Sequence, residues 1–180
     1  AAGAEGRALI ERWQSRLTPP PQPLRLPADH PRPAVRNFAG EILSLTLPMA
    51  ATAAVDRMAA AAGVTPFTVL TALLQALLHR LTGARDIALG LLVAGRGAPV
   101  PDDLVGFLVN TVVLRQSVDP AARFADHLAI TTDRLAEASA DQDAPFEAVL
   151  QTLALDRDPA RNPLFDVLVT WQDDMPAMPA

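Results

Sequence analysis

The 180 residues contain no cysteine, no lysine and no tyrosine. Without cysteine there is no disulfide, no thiol nucleophile and no cysteine-held metal. Without lysine the phosphate-binding P-loop is ruled out, and the basic side chains that titrate high are all arginine. A composition heavy in Ala, Arg, Pro and Gly with neither Lys nor Tyr looks like GC-rich coding and carries no functional message. Histidine is scarce as well, with three residues at His30, His79 and His127. None has a metal-ligand spacing, so no metal site is expected. No serine sits in a GxSxG elbow. The net charge of −5, with scattered arginines, argues against a nucleic-acid partner. No apolar run reaches membrane-spanning length, and no basic-then-apolar N-terminus reads as a signal peptide. The expectation is a soluble, cytoplasmic protein without a membrane partner.

Half of the residues are apolar, enough for a sizeable core in one domain or a large piece of one. Leu9, Trp13 and Leu17 recur at helical spacing and predict a helix over Ala4–Leu17, ended by the prolines from Pro19 onward. The Pro-rich stretch 18–40 reads as a stiff, superficial connector. Leu43, Leu45 and Leu47 alternate with Ser44 and Thr46, which predicts a half-buried strand over Glu41–Leu47. A helix follows over Pro48–Ala62, with Gly63 as C-cap. Thr65 and Pro66 supply the N-cap and first position of the next helix. In that helix Leu70, Leu73, Leu74, Leu77, Leu78 and Leu81 form one apolar stripe as far as Gly83. His79 in its last turn suits solvated capping.

Asp86–Val93 reads as a buried strand. Gly95 and Gly97 follow it, but Pro99 precludes the helix that a dinucleotide fingerprint needs. Asp119 and Pro120 predict the start of a helix reaching Ser139, with His127 on its surface. A shorter helix opens at Asp141–Glu147, where capping and the helix dipole account for the two aspartates. After the charged loop 156–163, Phe165–Trp171 is the last strand, and 172–180 is a loose tail. The order predicts an α/β or α+β layer, a mixed sheet covered by helices on one or both faces.

The most informative run is Leu104–Arg115, a β-branched strand buried on both faces and interrupted by Gly106 and Asn110. Gly106 and Asn110 share a face, and a buried amide without partners costs roughly 1–3 kcal/mol. Two readings stand: a bulge with the amide satisfied by backbone, or the wall of a cavity. No complete catalytic set is visible in the residues themselves.

Four stretches in series carry a resemblance. Val105–Arg115 resembles the GFFVNT-x-x-x-R motif of condensation domains from nonribosomal peptide synthetases. Asp141–Glu147 is similar to their HQDxPFE motif, and Arg157–Val167 to their RDxSRxPLFQV motif. Gly90–Arg96 resembles their GxPVAGR segment. Leu92, Asp141, Ala160 and Asp166 depart from these patterns, standing for Pro, His, Ser and Gln.

The resemblance implies a chloramphenicol-acetyltransferase-like fold, with residues 1–180 forming most of its C-terminal, acceptor-side subdomain. It implies that the parent joins a donor acyl or peptidyl thioester to an acceptor aminoacyl thioester in a tunnel between two subdomains. Gly106, Asn110 and Thr111 match the motif that lines that tunnel. Arg96 matches the arginine expected to pair with the aspartate of HHxxxDG across the subdomain junction. Gln142, Asp143, Pro145 and Phe146 match structural positions of the second motif. Arg157, Asp158, Arg161, Pro163, Leu164 and Phe165 match those of the third. HHxxxDG itself is absent from these residues, so no catalytic residue is expected on this chain, and it is expected to be inactive alone. No cofactor is expected to bind directly, since substrates arrive on the 4'-phosphopantetheine of carrier proteins. The implied partners are the N-terminal condensation subdomain, donor and acceptor peptidyl carrier proteins and an adjacent adenylation domain. The alternatives are a non-catalytic docking module, or half of an epimerisation or heterocyclisation domain. Asn110 provides a test: a tunnel wall must face the other subdomain, on the side of Arg96, and not lie packed under a helix of this chain.

Overall fold

The structure, a computed structural model, describes residues 3–37, 39–94, 109–155 and 158–172. In chain order the elements are α1 (Ala4–Leu17), α2 (Met49–Ala62), α3 (Pro66–Thr82), β1 (Asp86–Val93), β2 (Asn110–Ser117), α4 (Phe124–Ala140), α5 (Phe146–Thr152) and β3 (Val167–Val169). β1 is central. It pairs antiparallel with β2, Leu89 opposite Leu114, and parallel with β3, Leu89 beside Val167. The sheet is therefore mixed, as the pattern of elements predicts.

Helices cover both faces. Ile87, Leu89 and Leu91 share a face with Val112, Leu114 and Gln116 by strand alternation and register. That face meets α3 and α4, with α2 packed outside α3. The opposite face, carrying Ala88, Gly90, Val113 and Arg115, lies against α1 and the loop 158–166. Leu89 and Leu114 are fully buried between these layers, which is why both strands read as continuous apolar runs.

The punctuation residues act as predicted. Thr65 accepts the N–H of Thr68 at the start of α3, and Gly63 and Gly83 take the left-handed conformation after α2 and α3. No single helix among the described residues is long and apolar enough to cross a membrane, although α2 and α3 pass that test as a pair bent by 107°.

Five expectations are corrected. Residues 41–47 form an extended but unpaired segment, with Leu43 84% and Leu45 81% exposed. α3 buries Thr68, Val69, Thr71, Ala72, Gln75 and Leu78, and leaves Leu73, Leu77 and Leu81 outward. α4 begins at Phe124, because Asp119–Ala122 closes a turn of its own. β3 is only three residues long, because Phe165 turns into the core and Trp171 packs edge-on against Phe67. His127 is buried, facing α3 and β2 from the inner side of α4. The first half of the predicted strand 104–115 and the tail 173–180 lie outside the described residues.

Candidate functional site

Asn110 opens β2, and its amide is fully occupied. Nδ2 donates to the carbonyls of Gln142 (2.7 Å) and Ala144 (2.8 Å), and Oδ1 accepts the N–H of Phe146 at 3.4 Å. The first amides of a helix have no partner within it. Pro145, at the N-cap of α5, offers no side-chain acceptor. Asn110 supplies that acceptor from a distant strand and fastens the α4–α5 turn to the sheet. This is the backbone-satisfied alternative. The Asn110 amide lies beneath the turn between α4 and α5 of its own chain. Gly106 and Arg96 are outside the described residues; Thr111 sits half-buried opposite Leu92.

The other motif segments converge on the same place. The Phe146 ring stands 6.0 Å from that of Phe165. Phe165 in turn covers Gly90 so closely that a Cβ there would meet its ring at 2.5 Å. A side chain at 90 would therefore displace the ring, and glycine is the residue that admits it. Four motif segments thus meet around β1 and β2. Gln142 contributes its carbonyl, while Asp143 and Pro145 are exposed.

The loop bearing the third motif is locked by its own polar groups. Asp158 Oδ1 accepts the N–H of Ala160 (2.8 Å), and Arg161 Nη1 donates to Asp166 Oδ1 (2.6 Å). Leu164 adopts a positive φ of 69°, strained for a side-chain-bearing residue. Burial of Leu164 and Phe165 on either side of that bend holds it. Arg157 is outside the described residues.

Two residues that depart from the motifs are the ones sequence reasoning missed. Asp141 does not cap the start of α5, whose N-cap is Pro145; it closes α4 as the C-cap, and its side chain turns inward. It is buried, and accepts Arg12 Nη2 (2.6 Å) and Arg16 Nη2 (2.5 Å) from α1, while its carbonyl accepts the Trp13 indole N–H. Hydrogen bonds from Arg12, and then from Arg16, hold its carboxyl below the usual range against the opposing effect of burial. Asp166 accepts the Leu24 N–H (2.8 Å) as well as Arg161, and Arg32 lies 3.7 Å away. Each carboxylate pins an outlying segment, α1 or the connector, to the body. The arginine pair at 12 and 16, one helical turn apart, was the only signal available.

None of the three histidines is paired with a serine. His30 is exposed, His79 Nδ1 meets the Ala84 carbonyl at 2.8 Å, and His127 bonds Gln116 Nε2 (2.9 Å) and the Ala72 carbonyl (3.2 Å). Burial pushes the His127 imidazole below its ordinary value, partly offset by the Ala72 bond. Among the described residues no group of three or more His, Asp and Glu could hold a metal. What the described site can do is shape and brace; it offers no nucleophile–base pair.

A profile of the condensation domain matches residues 9–177. Phosphinothricin tripeptide synthetase PhsC of Streptomyces viridochromogenes is 39% identical over 165 residues, covering 92% of this chain and 15% of that protein. Isonitrile lipopeptide synthase of Mycobacterium tuberculosis is 37% identical over 167 residues, 93% of this chain and 7% of that protein. The first condensation domain of the CDA synthetase superposes with a TM-score of 0.75 at 28% identity, covering 94% of this chain and 35% of the other. The chain thus spans a small part of these larger proteins, and about a third of the solved domain.

Proposed function

This chain belongs to the condensation-domain family of nonribosomal peptide synthetases, and from that premise we propose that it forms the acceptor-side, C-terminal part of such a domain. The observation that carries the reading is the convergence of the four motif segments, through Asn110, Phe146, Phe165 and Gly90, on one pair of strands. The parent reaction joins two thioesters. The acceptor amine attacks the donor thioester carbonyl, the carbon–sulfur bond breaks, and the donor's phosphopantetheine leaves as a thiol once the amine proton is removed. Holding both arms in one tunnel contributes up to ~7–11 kcal/mol by proximity. The base or positioning histidine belongs to HHxxxDG, which these residues do not contain.

In this reading the described residues brace the acceptor side. Asn110 sets the start of β2 and, through it, the approach of Gly106 and Thr111 to the tunnel; Arg96 meets the aspartate of HHxxxDG. The outward stripe of Leu73, Leu77 and Leu81 on α3 fits a surface that the HHxxxDG-bearing half covers. The experiment is amide formation between donor- and acceptor-loaded carrier proteins. The purified chain is expected to give no amide product, and a polypeptide carrying the HHxxxDG half is expected to restore it when added. Turnover by this chain alone, at the rate of an intact domain, overturns the reading.

A further inference from the structure

Five polar side chains meet in the interior between α3, α4 and β2: Thr71 and Gln75 of α3, Gln116 of β2, and His127 and Thr131 of α4. All are buried, Gln75 and Thr131 with no exposure and Thr71 with 1%. Hydrogen bonds join four of them. His127 Nε2 donates to the Ala72 carbonyl (3.2 Å), which leaves Nδ1 to accept from Gln116 Nε2 (2.9 Å). The second Gln116 N–H is directed at the His127 carbonyl (3.2 Å).

The proton count of this network does not close. The Thr131 hydroxyl has one proton and three acceptors around it: the His127 carbonyl at 2.9 Å, Gln116 Oε1 at 3.0 Å and Gln75 Oε1 at 3.4 Å. Gln75 Oε1 is the farthest of the three, and neither Gln75 Nε2 nor Thr71 Oγ1 has a partner among the described residues. A half-turn of the Gln75 amide would direct Nε2 at the Thr131 oxygen, but it leaves Oε1 in the place that Nε2 held. In either orientation one end of the amide and the Thr71 hydroxyl stay unbonded. Buried polar groups are as a rule hydrogen-bonded. Residues 71 and 75 lie one turn apart on the buried side of α3, with Cβ atoms about 5–6 Å apart.

We propose that Thr71 and Gln75 hold an ordered water molecule inside the core, and that this water completes the polar network. Water both donates and accepts, so it serves the Thr71 hydroxyl and either end of the Gln75 amide. No carboxylate or guanidinium is hydrogen-bonded to any of the five side chains among the described residues, so the site suits an uncharged ligand and not an ion. Both residues are already enclosed by this chain. A further part of a larger domain therefore cannot reach them from outside, and whatever satisfies them must be small enough to lie within.

The test is a crystal structure of the 180-residue chain at a resolution that shows ordered water, with water-to-amide NOEs measured in solution. One water is expected about 3 Å from both Thr71 Oγ1 and the Gln75 amide, with a persistent NOE to the amides of α3 around it. Thr71→Val keeps the shape and removes the hydroxyl. It should raise the unfolding equilibrium constant at least about fivefold, because the water loses a partner. Thr71→Ser keeps the hydroxyl and should keep the NOE. Thr71→Val with Gln75→Met removes both partners, so the NOE should vanish and the combined effect should be smaller than the product of the two single effects. A dry site overturns the proposal. So does a Thr71→Val variant at least as stable as the parent, the result expected of a hydroxyl that is simply unbonded. Amide formation is not read here, so failure of the functional proposal leaves this one standing.

Discussion

At the scale of single residues, Asp141 and His127 bear most on stability, and both act through protonation. Asp141 is charged in the fold because Arg12 and Arg16 donate to it. Its folded value lies below the ordinary 3.8, so its contribution is complete above that pH and is lost as pH falls further. His127 is neutral in the fold, with Nε2 donating to the Ala72 carbonyl and Nδ1 accepting from Gln116. Its folded value also lies below the ordinary one, 6.5, so its contribution is complete above pH 6.5 and declines as pH falls through the folded value. A profile of Tm against pH should therefore fall in two stages, the first beginning below 6.5 and the second below 3.8. His127→Gln should remove the first stage. Asp141→Asn should flatten the second and lower stability at neutral pH by about 1–3 kcal/mol, toward the lower figure because Arg12 is half exposed. A profile unchanged by either substitution contradicts these assignments. The His127 role was not legible in the sequence, and the Asp141 role was signalled only by the arginine pair at 12 and 16. Asp126 beside His127 suggested a solvated face, and Asp141 at a helix start suggested a cap; which side of the helix faces the sheet is decided by packing, not by neighbours in the chain.

At the scale of elements, helices and strands were largely legible because caps and periodicity are local. Thr65, Gly63 and Gly83 delimit α2 and α3 as read. The burial of α3 was not legible. Its leucines define a stripe, yet the helix buries Thr71, Ala72 and Gln75 beside Leu78, with Gln75 Oε1 3.4 Å from the Thr131 hydroxyl of α4. The contact between Gly90 of β1 and Phe165 was also invisible, since the two residues lie far apart in sequence. It makes a sharp prediction. Gly90→Ala places a Cβ 2.5 Å from the ring carbons, and overpacking of this kind costs about 1–3 kcal/mol. Chemical denaturation should show that loss. The double variant Gly90→Ala, Phe165→Leu should lose less than the sum of the two single changes, by at least about 0.5 kcal/mol. Additive losses would mean that the ring does not press on Gly90.

At the scale of the whole molecule, the chain shows apolar surface that its own folding does not use: the extended segment 41–47 and the outward leucines of α3. Leu77 is half exposed, so Leu77→Asp should change the stability of the isolated chain by no more than about 0.5 kcal/mol. The same substitution should weaken restoration of amide formation by the HHxxxDG-bearing half. Restoration at the unchanged level would place that half elsewhere on the surface. Both apolar surfaces consist of residues that the sequence marks as core, as they would be if more of a larger domain packed on them.

Sequence alone settled the class of fold and the family, because strand alternation, helix caps and four motifs in register are local or linear properties that survive without coordinates. Tertiary structure alone decided how those motifs act. The interruption in the strand read over 104–115 is resolved at Asn110, the start of β2, into a remote cap for α5, and two apparent departures from the motifs became buried carboxylates, each holding two arginines. Hydrogen-bond partners more than a hundred residues apart, such as Arg12 and Asp141, are set by the way the layers pack. No local pattern encodes that proximity.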